Sequence, residues 1–489
     1  MSRDRLLLLT CGAILMLTQY ICVREIGSTF FSTEIVTLLS VIMVLIGPSI
    51  AYSISDRVSE RVLVIWAALS FLALMLVPFG IRMVVTLMKT WHLELFAMVA
   101  VIVLGSMFFS AFFAVFLPRL AKSEEDFRVL YSLELLGSVL ALLLLTAIGS
   151  WPNLVTAFYI LIVLCLHLAF GRRLLTATAL TIALIGAYFY PSLDAAAAKR
   201  YYQVYWDKEN PRILETRYSP YQRIDVVEDD RGKALYLDGV PYYEWGDLHW
   251  FNYYIAELPG RLLKNKKEAR ALVVGSGTLS STGYLVRQGY QVTTVDIDRV
   301  VADLGLKYFG KLNRLEQSNP AGGEQFKLVI DDARRYVRSV PNGSCDLIVL
   351  DIPAPYHIQT ALLYVPSFFK ELKRCLKPGG IVSINTCSYQ LDDRIAASIA
   401  RGATEVFADV NSIQGDSLGL TILYCSDQLP FSMRSLQDEA SKVEKERFSI
   451  LDNQALRFAV RGAKAHTEEN LCALLLLSRY EFPELKKWL

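Results

Sequence analysis

The sequence predicts a chain of two unlike halves: an N-terminal α-helical multi-span membrane domain, then a C-terminal α/β domain preceded by a small antiparallel β-unit. Three observations carry this reading. Long apolar segments dominate from Leu6 to Tyr190. Residues 271–298 read as strand, glycine turn, helix, strand and closing acids. Behind Lys199, charges appear in nearly every block of ten, and strand-type and helix-type patterns alternate.

The apolar runs are Leu6–Cys22, Ile35–Tyr52, Val62–Val77, Leu95–Leu117, Leu130–Ile148, Leu154–Phe170 and Leu174–Tyr190. Each approaches the ~20 residues that carry a helix across a ~30 Å hydrocarbon core. The first run has no small-residue cleavage site and is followed by others, so it reads as a span rather than a cleaved leader. Residues 1–192 are therefore expected to form about seven spans. Glu134 is the clear carboxylate inside a run; its shallow position suits an interfacial acid as well as a functional one.

Composition bounds the rest. A net charge of +2, with no basic stripe, argues against a nucleic-acid partner. Eight cysteines without CxxC spacing and five scattered histidines offer no metal ligand set and suit free thiols in a reducing compartment.

The soluble half follows in order. Residues 212–243 alternate apolar and polar, with turn signals at Asp229–Gly232 and Asp238–Gly239, and predict antiparallel strands. Asp247–Leu263 reads as an aromatic-rich helix, so residues 193–262 form a linker, β-unit and helix ahead of a cofactor domain over 263–489. In that domain Ala271–Val274, Gln291–Val295, Phe326–Ile330, Cys345–Leu350 and Ile381–Asn385 read as strands. Ser367–Leu376 reads as a helix closed by a turn at Lys377–Gly380. Strands alternating with helices specify a parallel sheet with right-handed crossovers. Ligands bind beyond the carboxyl ends of such strands, which gathers Gly275, Asp296, Asp332 and Asp351 around one crevice.

The glycine turn Gly275-Ser276-Gly277 lets backbone approach a ligand closely. Asp296, about 20 residues on, suits a ribose diol, because a carboxylate accepts from two vicinal hydroxyls. The third glycine of the dinucleotide fingerprint is missing, and the Val295–Asp298 ending points to a nucleoside such as S-adenosylmethionine instead.

Taken together, YQRIDVVEDDRGKALYLDGV, IAELP, the glycine turn, VDID, DDARRYV and DLIVLD before LKPGG resemble the spermidine synthase family of aminopropyltransferases. The resemblance covers about residues 212–390; preceded by a membrane domain, it looks like the membrane-fused members found in bacteria. It implies a Rossmann-like sheet of the class I methyltransferase type, and S-adenosylmethionine or its decarboxylated form as substrate. Gln222 would face the sulfonium, Asp296 the ribose and Asp332 the adenine amino group, with Gly275, Ser276, Gly277 and Ala333 completing the nucleoside site. Asp351 would be the general base that takes a proton from the attacking amine. Tyr242, Phe251, Asn252 and Ala354 would line the acceptor subsite.

Five positions depart from the family pattern. Thr278 and Ala354 stand where it carries acids, Phe251-Asn252 where it offers a Tyr-Gln pair, and Tyr242 where it has glutamine. An altered amine site, another reaction of the cofactor (methyl transfer or cleavage to methylthioadenosine), and a non-catalytic nucleoside-binding membrane protein all remain open. The resemblance also admits a homo-oligomer. Seven spans with the N-terminus inside gather Arg3, Arg5, Arg57, Arg61, Arg119, Lys122, Arg128, Arg172 and Arg173 on the cytoplasmic side. Cofactor supply instead requires the soluble domain in the cytoplasm of a bacterial inner-membrane protein. That expectation is adopted here and makes Leu174–Tyr190 the doubtful crossing.

Overall fold

The structure is a computed structural model that describes residues 2–29, 34–90, 107–148, 150–244, 249–263, 268–275, 277–311, 313, 315, 325–355, 357–386, 394–415, 421–442, 448–474 and 476. The chain divides into two compact units: Met1–Asp230 with Leu237–Val240, and Arg231–Tyr236 with Pro241–Leu489.

The first unit is built on helices α1 (Arg3–Gly27), α2 (Glu34–Ile54), α3 (Glu60–Thr90), α4 (Phe108–Ala114), α5 (Phe116–Leu120), α6 (Glu124–Ala147), α7 (Trp151–Phe170) and α8 (Arg173–Tyr205). Among the described residues six helices are long and apolar enough to cross a membrane. The expected run Leu95–Leu117 lies partly outside the described residues; α4 and α5 cover its end. Several helices outrun their apolar cores. Leu174–Tyr190 is one stretch of a continuous helix of 33 residues that reaches Tyr205. Gly171, with φ +65°, ends α7 in the left-handed conformation that lets α8 follow directly.

Two glycines set the crossing of α1 and α6. A Cβ on Gly12 would stand 1.8 Å from the carbonyl oxygen of Glu134, and one on Gly137 1.9 Å from that of Leu9. Backbones this close tolerate only glycine, the packing device that small residues supply between apolar helices. Ser138 Oγ donates across the crossing to Gly12 O at 3.0 Å. Glu134 sits beneath it at 5% exposure, so it is enclosed between helices rather than interfacial.

The bundle has two distinct ends. At one, Arg3 Nε donates to Leu168 O at 2.6 Å, and Arg119 Nη1 to Val58 O at 2.7 Å. At the other, the rings of Tyr20 and Trp151 lie 6.0 Å apart, and Trp151 stacks on Tyr218 at 4.2 Å. This second end also holds a charge network that the apolar runs gave no reason to expect. Arg82 of α3 pairs with Glu25 of α1 at 2.6 Å and with Asp194 of α8 at 2.8 Å. Asp194 also accepts from Arg223, at 2.8 and 3.0 Å. Arg223 in turn pairs with Asp225 at 2.8 Å. Both residues belong to β2 (Arg223–Asp229), which pairs antiparallel with β1 (Arg212–Tyr218). Tyr202 and Thr216 each donate to Asp225 at 2.6 Å, and Tyr218 donates to Glu25 at 3.2 Å. All five charged groups are at most 5% exposed. Burial alone would push the Asp225 carboxyl up, but the Arg223 guanidinium beside it outweighs burial and holds it below its ordinary range.

β3 (Gly232–Leu237) and β4 (Val240–Glu244) complete a four-strand sheet in the order β1-β2-β3-β4, as residues 212–243 predict. The second unit carries an eight-strand sheet in the order β12-β10-β11-β9-β8-β5-β6-β7. Its parallel part is β5 (Arg270–Gly275), β6 (Gln291–Asp296), β7 (Phe326–Ile330), β8 (Cys345–Asp351) and β9 (Leu376–Asn385). Leu272, Val274, Ile348 and Leu350 pack with Phe368 and Phe369 on one face. Val273, Leu347 and Val349 pack with Leu285 and Tyr290 on the other. Apolar residues on both faces are the mark of a sheet covered twice by crossover helices. Among those helices are α11 (Ser280–Arg287), α12 (Arg299–Phe309), α13 (Ala333–Ser339) and α14 (Pro366–Cys375).

Three local features differ from the sequence reading. Lys377–Gly380 is not a turn ahead of β9 but lies within its range as a bulge, where pairing jumps from Cys345↔Leu376 to Leu347↔Ile381. The aromatic helix is interrupted: α9 (His249–Asn252) and α10 (Leu258–Leu262) flank a π-helical turn over Tyr253–Glu257. The antiparallel strands β10 (Asp409–Gly415), β11 (Thr421–Ser426) and β12 (Phe448–Leu451) extend the sheet beyond the part the sequence motifs mark.

Removing one partner of a buried charge network leaves the others uncompensated, at about 3–5 kcal/mol. Asp194→Ala is therefore expected to lower the unfolding free energy of the detergent-solubilised protein by that amount, measured by denaturant titration. Surface changes such as Glu124→Ala should leave it within about 0.5 kcal/mol.

Candidate active site

The site forms where three neighbouring parallel strands end. Val274 pairs with Leu350 and Gly275 with Asp351, while Val274 pairs with Val295, one residue before Asp296. Parallel register thus brings Gly275, Asp296 and Asp351 to one edge, though they span 77 positions of sequence (351 − 275 + 1).

Glycine is required at this edge for steric reasons. Gly275 has φ +88°, and a Cβ there would lie 2.0 Å from the carbonyl oxygen of Asp351. A Cβ on Gly277 would lie 2.1 Å from Val301 Cγ1 and 3.4 Å from Asp296 Oδ2. Both positions are thus packed too closely for a side chain, Gly275 against the end of β8 and Gly277 against Val301 with the Asp296 carboxylate beside it. Ser276 lies outside the described residues.

The two acids of the Val295–Asp298 ending have different tasks. Asp298 caps α12, accepting from Val300 N at 3.0 Å and Val301 N at 3.4 Å. Asp296 is the acid beside Gly277, and its Oδ1 accepts from Asp298 N at 2.8 Å. Burial pushes its carboxyl up to about 7, against the backbone hydrogen bond from Asp298, which favours the charged form.

Asp351 is 5% exposed at the end of β8. Ser281 Oγ contacts its Oδ2 at 2.6 Å and Asn252 Oδ1 at 3.1 Å. The Tyr242 hydroxyl donates to the main-chain oxygen of Asp351 at 3.1 Å. The loop beyond is tied down by Tyr364, whose hydroxyl contacts Ile352 O and Pro353 O at 3.1 Å each. Ala354 follows, half-buried and packed against the core. Phe251 packs against the opposite core. Thr278 is buried, with its hydroxyl 3.0 Å from Ser280 Oγ, so no charge enters the site there.

Two expected nucleoside residues also make local contacts. Asp332 caps α13 by accepting from Arg335 N at 2.9 Å, and Ala333 is the first residue of that helix. Gln222 belongs to the first unit, in the turn before β2, where its backbone N–H donates to Ser219 Oγ at 3.1 Å. Ser281 was not singled out from sequence; the only available signal is the Ser280-Ser281-Thr282 run directly behind the glycine turn.

Glycine turn, acid-tipped second strand and a buried acid on the strand beside the first mark the carboxyl edge of a Rossmann-like α/β sheet. Residues 249–414 match the spermine/spermidine synthase domain. Polyamine aminopropyltransferase 2 of Hyperthermus butylicus is 32% identical over 218 residues, which cover 42% of this chain and 68% of that one. The polyamine aminopropyltransferase of Nitrosomonas europaea is 28% identical over 201 residues, 40% of this chain and 59% of that protein. A crystal structure of spermidine synthase from Thermotoga maritima aligns with TM-score 0.41 and 20% identity, over 56% of this chain and 88% of that one. The chain belongs to the spermidine synthase family of enzymes.

The Asp296 carboxyl has a sign that can be worked through. Its folded value, about 7, lies above the ~3.9 of an unfolded aspartate. Between those values the folded domain holds a proton that the unfolded chain releases, so this group's contribution to stability falls as pH rises. A ribose diol needs the ionised form, which accepts from both hydroxyls. Affinity for methylthioadenosine, measured by calorimetry, is therefore expected to rise severalfold from pH 6 to 8. Asp296→Ala should remove this pH dependence and weaken binding by about 2–3 kcal/mol.

Proposed function

We propose that this protein is an integral membrane aminopropyltransferase that uses decarboxylated S-adenosylmethionine, or S-adenosylmethionine itself, with Asp351 as base. The carrying observation is the buried Asp351 carboxylate on the strand beside Gly275, with Asp296 on the next strand. The donor supplies a carbon already activated by an adjacent sulfonium. The attacking amine nitrogen forms a bond to that carbon, and the carbon–sulfur bond breaks. Its electron pair returns to sulfur, leaving a neutral thioether nucleoside. The amine proton passes to Asp351. The protein has little bond chemistry to supply, so it acts by aligning nucleophile and donor and by keeping the amine unprotonated. Gly275 and Gly277 admit the nucleoside, and Asp296 accepts from its ribose. Asp332 and Ala333 complete that subsite on this reading.

The acceptor subsite supports a specific nucleophile class. Tyr242, Phe251, Asn252 and Ala354 are neutral, so a diamine would find fewer carboxylates to hold its second ammonium. A less charged amine is the preferred acceptor on this reading. Purified protein incubated with each donor, with and without amines, and analysed by mass spectrometry tests it. An aminopropylated amine supports the proposal. A methylated product, or methylthioadenosine released without an amine, would replace it with another reaction of the same cofactor, and no product at all with a non-catalytic nucleoside binder. Asp351→Asn should lower turnover by roughly 10²–10⁴ while sparing nucleoside affinity.

We propose further that the long apolar helices cross a bilayer. Their charge distribution favours one orientation. Arg3, Arg57, Arg61, Arg119, Arg172 and Arg173 lie at the end of the bundle away from β1 and β2, the end where Arg3 meets Leu168 and Arg119 meets Val58. Short loops rich in arginine stay in the cytoplasm. On loop charge alone the β1–β2 end would face away from the cytoplasm; donor supply calls for the opposite, and on this reading the soluble domain faces the cytoplasm of a bacterial inner-membrane protein. A fluorescent fusion after Leu489 that matures only in the cytoplasm should be bright; an active periplasmic phosphatase fusion there would reverse the orientation.

A further inference from the structure

We propose that the buried charge network of the first unit takes up one exchangeable monovalent cation, a proton or an alkali ion, at Glu25 Oε1 and the Tyr190 hydroxyl. The inference concerns α1, α3, α8, β1 and β2, all within one unit, and does not depend on how the active site is read. Charge counting gives the first reason. Glu25, Asp194 and Asp225 bring three negative charges and Arg82 and Arg223 two positive ones, each residue at most 5% exposed. One negative charge is left over among the described residues. Arg24 does not cancel it, because its guanidinium donates to the main-chain oxygens of Ser219, at 2.7 Å, and Pro220, at 3.3 Å. The other titratable groups around the network are Cys22 of α1, Tyr159 of α7, Tyr190, Tyr201 and Tyr202 of α8, and Tyr218 of β1. Thiols and phenols bring no positive charge. An unbalanced charge held away from water is costly, so a positive charge from solution is favoured beside it.

The contacts of each carboxylate oxygen locate the surplus. Asp194 Oδ1 accepts from both Arg82 and Arg223, and Asp194 Oδ2 from Arg223. Asp225 Oδ2 accepts from Arg223 and Tyr202, and its Oδ1 from Thr216. Glu25 Oε2 accepts from Arg82 at 2.6 Å. Glu25 Oε1 is the exception: among the described residues it meets the Tyr218 hydroxyl alone, at 3.2 Å. It is the carboxylate oxygen that neither guanidinium takes and that has the longest hydrogen bond.

Tyr190 supplies an independent second observation. It is 2% exposed, and its buried hydroxyl has no hydrogen-bond partner among the described residues. The same hydroxyl is close enough to Tyr218, Asp194, Glu25 and Arg223 to interact electrostatically with each. A buried hydroxyl left unused costs the desolvation of that group. One cation between Glu25 Oε1 and Tyr190 Oη resolves the orphan hydroxyl and the surplus charge together. A proton on Oε1 would be donated to the phenol oxygen, whereas an alkali ion would take both oxygens as ligands. A surplus of one charge selects a singly charged ion.

The test follows thermal unfolding of the full detergent-solubilised chain in sodium, potassium or N-methylglucamine chloride, at one ionic strength and from about pH 6 to 8. Alkali uptake should raise the unfolding temperature by about 5 °C over N-methylglucamine, at a concentration roughly a hundredfold above the dissociation constant. Proton uptake should instead lower that temperature as pH rises, whatever the salt, because the folded state then holds a proton that the unfolded chain releases. Burial holds the Asp296 carboxyl of the second unit at about 7, so it titrates in the same range. Each response is therefore read as wild type minus Glu25→Gln, a variant that keeps Asp296 and removes the surplus charge. Glu25→Gln should show neither the salt response nor the network's share of the pH response. Tyr190→Phe removes an unpartnered hydroxyl, so it should fold as wild type does and take up the cation about tenfold more weakly. Hydrogen exchange over residues 19–29, read by mass spectrometry, reports on the end of α1 alone and should slow severalfold on uptake in wild type but not in Glu25→Gln. Equal responses of wild type and Glu25→Gln to salt and to pH overturn the proposal. So does a Tyr190→Phe protein whose uptake matches wild type.

Discussion

The helical unit depends on a single arrangement of buried charge. Glu25, Arg82, Asp194, Arg223 and Asp225 come from three helices and one strand, and each is held by at least one oppositely charged partner. Charges removed from water are tolerated only when such partners are in place, so this network acts as a registration device as much as a source of stability. A shift of one turn in α1, α3 or α8 would separate Arg82 from Glu25 or Asp194. Because Arg223 and Asp225 lie on β2, the same network fixes the first hairpin against the helices of its own unit.

The second unit solves a different problem, which is to bring distant residues to one edge without long side chains. Parallel pairing does this through backbone register alone. Gly275 sits opposite Asp351, and Asp296 ends the strand on the other side. The close approach leaves no room for a Cβ at Gly275. Asp298 is consumed in capping α12, which releases Asp296 for the open side of the crevice. Two acids separated by one residue thus divide a capping task and a place at the strand edge.

Much of this was legible in the sequence. The β-unit, the parallel strands and the convergence of Gly275, Asp296 and Asp351 follow from alternation, apolar runs and the rule that ligands meet strand ends. The charge network was not, because Glu25, Arg82 and Asp194 lie beyond the purely apolar cores of their helices, where hydropathy patterns read them as loop residues. Ser281 was invisible for another reason: a serine behind a glycine turn carries no periodic signal, and only the fold brings it to Asp351. The capping of α13 by Asp332 was not read from its motif either. The bulge at Lys377–Gly380 was missed because Pro and Gly mark a break in pairing without saying whether the strand resumes.

The glycine crossing of α1 and α6 bears on the order in which the chain can fold during synthesis. Helix α1 meets Gly137 at its waist, Leu168 at its start and, through Glu25 and Arg82, Asp194 and Arg223 at its end. Its contacts therefore wait on residues made long after it, the last of them some 200 positions later (223 − 25 = 198). Until Arg223 has left the ribosome, Asp194 lacks one of its two guanidinium partners, and until Asp194 has, Arg82 lacks one of its two carboxylates. Such delayed, non-local closure slows folding and leaves surfaces open to wrong partners. Helix α1 thus waits for its partners through the synthesis of most of its own unit.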